Sequence, residues 1–398
     1  MKILWVNPNF LHPTTKGGQI RTLEIVKRLH QRHEVHYAAF ADPAQPEGPR
    51  RAAEYSTRHY AFAHQPPSKT SPRFALQLAG GLFSSLPLAV SRWISPELAT
   101  FIRAEMRAGN FDRAVCDFLA PAPHFDDLPR TVLFQHNVET MIWRRHAETA
   151  KGALRRAYFR LQADRMFALE QRVCRESGAV IAVSAADRDM MRKLFGDVNV
   201  HDTPTGVDCV HFAHYESPPA ADLVFVGSMD WMPNIDGIEW FAADILPLIR
   251  RSRPGTSLAV AGRQPGAAIL ALGQADPRIT ITGTVPDIRP WLWGSRVSIV
   301  PLRVGGGTRI KIYEAMAAGI PVVSTSIGAE GLDYKDGENI LIADSPAQFA
   351  DACLSLLNDP ALAQRIAANA RQLVAENFSW DRVVNDFEAL LLAAPSCR

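Results

Sequence analysis

The stretch Val300-Pro301-Leu302-Arg303-Val304-Gly305-Gly306-Gly307-Thr308-Arg309-Ile310-Lys311-Ile312-Tyr313-Glu314-Ala315-Met316-Ala317-Ala318-Gly319 reads as the end of a buried strand, a turn of three glycines and the start of a helix. Glycine lets backbone approach a ligand closely, and a helix start offers unpaired N–H groups and the positive end of its dipole. Arg309 and Lys311 add cationic donors suited to a diphosphate. Glu314 lies three residues beyond Lys311, on the same helix face, where a carboxylate can accept two hydrogen bonds from a ribose diol. Arg309 falls off that face in a helix regular from Thr308. The plainer alternative is a glycine turn with solvated charges.

Outward from this stretch, apolar strands alternate with amphipathic helices. On its side of the chain the strands are Leu223–Val226, Ser257–Ala261, Ile279–Thr282, Val297–Pro301, Pro321–Ser324 and Ile340–Ala343, with helices over Ile235–Arg250 and Thr308–Ala318. The tail is helical over Pro346–Leu357, Pro360–Glu376 and Asp381–Leu392. The first half repeats the pattern: strands Lys2–Val6, Glu34–Phe40, Ala114–Phe118, Thr131–Phe134 and Ala179–Val183, a helix Gly18–Gln31, and a helical stretch Val138–Glu176 interrupted near Lys151-Gly152. Near-continuous apolar strands between helices indicate buried parallel sheets. A Pro/Gly-bearing linker, Thr203-Pro204-Thr205-Gly206, separates the two series. The expected fold class is therefore α/β, with two Rossmann-like domains facing across a cleft. Domains are expected at 1–205 and 206–377, with 378–398 as a terminal helical segment.

The chain has 398 residues, 47% apolar and 21% charged, which fits two or three globular domains and excludes a wholly disordered chain. Its net charge of +2 hides an asymmetry: residues 1–200 carry 28 Lys and Arg against 19 Asp and Glu, and residues 201–398 carry 15 against 22. A basic first half suggests an anionic partner. The five scattered cysteines lack a Cys-x-x-Cys pair and point to a reducing cytosol. The apolar opening is too short for a signal peptide, and Phe74–Ser91 is broken by Gly80-Gly81 and Pro87. The expectation is a cytoplasmic chain, peripheral on the inner face of the plasma membrane, with the apolar loop Phe74–Val90 as a lipid contact.

Two further candidates follow strands of the first half. Gly17-Gly18 opens a helix after the first strand. His136, in Gln135-His136-Asn137-Val138-Glu139, closes another strand, and its near-neutral pKa suits donation or acceptance. Asp187-Arg188-Asp189 sits inside a helix beginning after Ser184, so its carboxylates diverge and a metal is not expected. His33/His36 and His211/His214 lack a third ligand. Trp231, Trp240, Trp291 and Trp293 read as packing residues, and Asp126-Asp127 as solvated.

With these residues, the chain resembles a GT-B fold glycosyltransferase of the glycosyltransferase family 4 type. Phe225-Val226-Gly227-Ser228, Thr282-Gly283-Thr284-Val285-Pro286-Asp287, Gly305–Gly319 and Pro321-Val322-Val323-Ser324-Thr325 carry the likeness, with Gly17-Gly18, His136 and Thr205-Gly206-Val207-Asp208. The resemblance implies that Glu314 is the second glutamate of an E-x7-E motif and binds ribose hydroxyls. Gly17 and Gly18 would lie against the donor diphosphate or sugar, and His136 at the reaction centre on the transferred sugar. Val285 and Pro286 would hold the base through backbone groups, and the last helix would cross back onto the first domain. The motif's first glutamate falls on Gly306, so backbone N–H groups of Gly306 and Gly307, beside Gly305 and Thr308, are expected to replace it. Ser228 and Asn234 stand where the family has an Arg/Lys pair, which moves the cationic role to Arg309 and Lys311, with Arg263 a third candidate.

The implied activity is metal-independent, retaining transfer of a sugar from a nucleotide-diphosphate sugar to a glycan or polyprenyl-diphosphate-linked acceptor in surface polysaccharide biosynthesis, with no cofactor and no nucleic acid. The alternatives are an epimerase or phosphorylase of the same fold, or a non-catalytic sugar-nucleotide-binding partner in an assembly complex.

Overall fold

The computed structural model describes residues 1–14, 17–64, 71, 81, 84–150, 152–213, 215–304 and 310–397. The chain divides into two compact units. The first comprises Met1–Pro204 and Val383–Arg398, and the second Thr205–Arg382.

The first unit holds a parallel sheet of seven strands: β1 (Lys2–Asn9), β2 (Glu34–Ala41), β3 (Arg58–Ala63), β4 (Arg113–Asp117), β5 (Thr131–Gln135), β6 (Ala179–Ala182) and β7 (Val200–Asp202). Their spatial order is β3-β2-β1-β4-β5-β6-β7, every neighbour parallel. The second unit holds six: β8 (Ala221–Val226), β9 (Leu258–Ala261), β10 (Ile279–Gly283), β11 (Ser295–Val300), β12 (Val322–Ser324) and β13 (Leu341–Ile342), in the order β10-β9-β8-β11-β12-β13 and again all parallel. Each chain segment thus starts at mid-sheet, builds to one edge, and returns to the other side. The reversal, between β1 and β4 and between β8 and β11, opens the crevice where such sheets bind ligands.

The central strands are buried throughout, as helices on both faces require: Ile3, Leu4, Trp5 and Val6 in one sheet, Leu223, Val224 and Phe225 in the other, are all fully inaccessible. Helix starts are written in the sequence. Ser95, Ser345 and Asp359 each precede a proline and cap the N–H three residues on, and Ser184 does the same without one.

Besides unexpected helices at Pro96–Arg107 and Ala267–Ala275, three further features differ from the sequence expectation. Edge strands β3 and β7 are added. The helix expected over Ile235–Arg250 is instead Met232–Trp240, a π turn at Phe241–Ile245, and Leu246–Ser252. Pro247 cannot donate to the preceding turn, so the helix widens there. Trp231, read as packing, is 38% exposed.

The last helix, Trp380–Ala393, belongs to the first unit from Val383 onward. Phe387 packs against Trp5 at 5.7 Å and Phe134 at 5.0 Å. Glu388 accepts from Arg32 and His33, and Arg113 donates to the carbonyls of Leu391 and Leu392.

Candidate functional site

In the second unit, the carboxyl ends of β8, β9 and β11 converge with the helix Ile310–Ala317. A Cβ on Gly262, just after β9, would stand 1.8 Å from the carbonyl oxygen of Gly227, just after β8. A Cβ on Gly227 would stand 2.5 Å from Lys311 Nζ and 2.8 Å from Asn234 Nδ2. The two strand ends can therefore lie this close, beneath a lysine amine, only as glycines.

Lys311 is held from two sides. Its amine donates to Asn234 Oδ1 at 2.9 Å and lies 4.3 Å from the centre of the Phe225 ring. Asn234 is buried, and its Nδ2 donates to the Ser228 carbonyl at 2.8 Å, which fixes the amide orientation. Asn234 thus orients Lys311. Arg263 Nε donates to Ser228 Oγ at 2.7 Å, and its guanidinium pairs with Asp230 at 3.3 Å.

Glu314 is half-buried one turn beyond Lys311. Burial raises its carboxyl to about 7, against the opposing pull of Lys311. Among the described residues, no hydrogen-bond donor reaches that carboxylate. Val285 is half-buried and Pro286 exposed in the turn leaving β10, at the sheet edge. Gly305, Gly306, Gly307, Thr308 and Arg309 lie outside the described residues.

In the first unit, a cluster built around Asp117, a residue the sequence reading did not single out, takes in His136 and Gly18 at the corresponding place. Asp117, the last residue of β4, is fully buried. Its Oδ2 accepts from Trp5 Nε1 at 2.9 Å, Asn7 Nδ2 at 2.6 Å and Thr22 Oγ1 at 2.8 Å. Its Oδ1 lies 2.7 Å from His136 Nε2. The other ring nitrogen, Nδ1, lies 3.1 Å from Arg21 Nη1. A guanidinium can only donate, so Nδ1 is the acceptor and Nε2 carries the proton given to Asp117. His136 is therefore neutral, as burial, which lowers its pKa, also favours. Burial likewise brings the Arg21 guanidinium down to about 10, opposed by Asp187 and Asp117.

Phe118 completes this cluster. Its backbone takes φ of 68°, a left-handed conformation unusual for an aromatic residue, and its ring stacks on His136 at 3.8 Å. Gly18 passes so close that a Cβ there would be 2.9 Å from Phe118 Cζ, while Gly17 is exposed at the helix start. In this arrangement both His136 ring nitrogens have partners within the protein. The signal for Asp117 was a single carboxylate closing the apolar run Ala114-Val115-Cys116. Nearby, Glu170 caps the helix Glu139–Thr149 by accepting from the Glu139 and Thr140 N–H groups, and Glu139 is pushed up to about 7 by burial and by Glu170.

Other candidates resolve simply. Asp187 bonds Ser184 Oγ and Asp189 pairs with Arg188, so the two carboxylates are separately engaged. Asp126 and Asp127, read as solvated, form ion pairs with Arg103 and Arg130. All five cysteines are free. Of the apolar loop Phe74–Val90, Gly81 and residues 84–90 are described, and in that part Leu88 and Val90 are buried. Residues 72–80, 82 and 83 lie outside the described set. Among the described residues no helix is long and apolar enough to cross a membrane.

Residues 15–211 match the family model described as Glycosyltransferase Family 4, and residues 220–359 match Glycosyl transferases group 1. A glycogen synthase of Mycobacterium tuberculosis is 28% identical over 265 residues, 63% of this chain; the match spans 60% of the relative's length. The lipopolysaccharide core biosynthesis mannosyltransferase LpsB of Rhizobium meliloti is 27% identical over 172 residues, covering 40% of this chain and 48% of the relative. Among solved structures, Anabaena Alr3699/HepE in complex with UDP superposes with a TM-score of 0.69 at 16% identity, over 99% of this chain and all of that one. Sucrose-phosphate synthase from Thermosynechococcus elongatus gives 0.71 at 17% identity, over 98% of each.

Proposed function

From the premise that this chain belongs to the GT-B glycosyltransferases, with a Glycosyltransferase Family 4 domain followed by a Glycosyl transferases group 1 domain, we propose that it transfers a sugar from a nucleotide-diphosphate sugar to a glycan or polyprenyl-diphosphate-linked acceptor. The observation that carries the reading is the pairing, on successive turns of one helix, of an amine seated over Gly227 with a half-buried carboxylate that accepts no hydrogen bond among the described residues. The amine suits a diphosphate and the carboxylate suits a vicinal diol, and a nucleotide sugar offers both at that separation. The naming of UDP in the HepE complex supports the same donor class.

In the proposed step the bond from the sugar's anomeric carbon to the diphosphate oxygen breaks, and its electron pair leaves with the nucleotide. The acceptor hydroxyl oxygen bonds to that carbon, and its proton passes to the departing diphosphate oxygen. Negative charge grows on the leaving diphosphate. Lys311, with Arg309 and the N–H groups of Gly306 and Gly307, stabilises it without a metal. Ser228 and Arg263 line the same edge, Glu314 holds the ribose, and the turn at Val285 and Pro286 holds the base. Retention of anomeric configuration is proposed from the family resemblance alone. His136 acts here as a positioning residue that, with Asp117, fixes Arg21 beside Gly18.

The test is a panel of nucleotide sugars scored by thermal shift. Occupancy at about a hundred times the dissociation constant stabilises the protein by about 2.7 kcal/mol. Transfer is then assayed with the donors that bind. Binding with donor isomerisation in the absence of acceptor, or with no turnover on any acceptor, contradicts the proposal.

A further inference from the structure

The helix Met232–Trp240 braces Lys311 through Asn234, and it also holds the chain where it leaves β11. A Cβ on Gly237 would stand 2.6 Å from the Pro301 carbonyl oxygen, so helix and strand end meet there backbone to backbone. Two residues further on, Arg303 is gripped by the same helix. Its Nη2 donates to Asp236 Oδ1 at 2.6 Å and its Nε to Asp236 Oδ2 at 3.1 Å, a two-pronged pair. The guanidinium also lies 5.2 Å from the centre of the Trp240 ring, which is buried.

One helix therefore takes hold of the chain on both sides of residues 305–309. Asp236, Gly237 and Trp240 hold it before them, at Pro301 and Arg303, and Asn234 holds it after them, at Lys311. Exposure decides what the grip on Arg303 contributes. The Asp236 and Arg303 side chains are 29% and 46% accessible, and an ion pair this open adds little to stability. Two parallel N–H···O bonds with a ring against the guanidinium fix orientation instead.

We propose that Asp236 is a positioning residue for the donor diphosphate: by fixing Arg303 it sets where the glycine stretch begins, as Asn234 sets Lys311 where it ends. The inference deepens the proposed donor site and rests on that reading for the identity of the ligand. Asp236 acts through Arg303, and neither side chain touches the donor. The pair thus behaves as one unit, and losing either partner has the same consequence as losing both.

The experiment is calorimetric titration of uridine, guanosine and adenosine diphosphates into the full chain, Asp236→Asn, Arg303→Gln and the double variant, with melting temperatures measured alongside. Each single variant should weaken the nucleoside diphosphate that binds the wild type about tenfold, the scale of coupling within one salt-bridge network. The double variant should also lose about tenfold, where independent effects would multiply to about a hundredfold. Asp236→Glu, which keeps the carboxylate, should recover most of the affinity. All four variants should melt with the wild type. Hydrogen exchange without nucleotide gives a second reading: the peptide spanning 304–309 should exchange faster in Asp236→Asn. An Asp236→Asn variant that binds like the wild type overturns the inference, and so does multiplication of the losses in the double variant. A loss confined to Arg303→Gln also overturns it, since that arginine would then meet the ligand directly. A wild type that binds no nucleoside diphosphate, with faster exchange still seen in Asp236→Asn, would sink the proposed donor site and leave the grip on this stretch standing. Unchanged exchange beside normal nucleotide binding would do the reverse.

Discussion

At the carboxyl edge of β1 and β4, one carboxylate, Asp117, collects donors from Trp5, Asn7, Thr22 and His136. Near the carboxyl edge of β8 and β11, another carboxylate, Glu314, collects none among the described residues and is raised to about 7. The sheets share a strand order through these strands, and the contrast lies in the side chains hung on it. A satisfied buried carboxylate stiffens its surroundings, whereas an unsatisfied one stores a desolvation cost that a diol can relieve. The first carboxylate is satisfied within its own unit, and the second has no donor among the described residues.

The comparison breaks most readily at Asp117. Asp117→Ala strands buried donors from three elements and should cost about 3–5 kcal/mol of stability in urea unfolding. Glu314→Ala should leave stability within about 1 kcal/mol and weaken nucleotide binding instead. Equal losses in the two variants would erase the distinction between the crevices. Next in size, Lys311→Ala should lower turnover about 10²–10³-fold, or about 3–4 kcal/mol, with an unchanged melting temperature. Arg309→Ala should act in the same direction, and near-normal rates in both would count against the leaving-group role.

Gly227→Ala sharpens the account at the backbone. Its methyl group must displace the Lys311 amine and the Asn234 amide, so nucleotide affinity by calorimetry should fall about tenfold. The smallest effects are in pH, and they have opposite signs. Glu314 is raised from 4.5 to about 7, so the fold favours its neutral form, and its burial destabilises increasingly as pH rises through that interval. A diol donates to the ionised form, so nucleotide affinity should rise as pH passes about 7, and Glu314→Gln should flatten that rise. His136 is lowered from 6.5 by burial, so its contribution is present above 6.5 and fades as pH falls below it. His136→Asn should remove that acid limb from the melting profile.

Much of the architecture was legible because parallel sheets write themselves as unbroken apolar runs, as in Ile3-Leu4-Trp5-Val6 and Leu223-Val224-Phe225-Val226. The edge strand β3 was not, since Arg58-His59-Tyr60-Ala61-Phe62-Ala63 is mostly exposed and lacks such a run. In the second unit, Lys311 and Glu314 were legible as candidates from their spacing after a glycine-rich stretch. The role of Asn234 as a brace for Lys311 was not, because its partners lie far off in sequence. His136 was legible as a strand-end histidine. Its engagement by Asp117 and Arg21 depends on the lateral neighbours of β5, which only the sheet order supplies.

The central claim is that the second unit cradles a nucleoside diphosphate between Lys311 and Glu314. Calorimetric titration of nucleoside diphosphates into the full chain, Lys311→Ala and Glu314→Ala tests it most directly. The account predicts one-site binding by the wild type that both substitutions weaken at unchanged melting temperature. A wild type that binds no member of the series, or variants that bind as the wild type does, would contradict it.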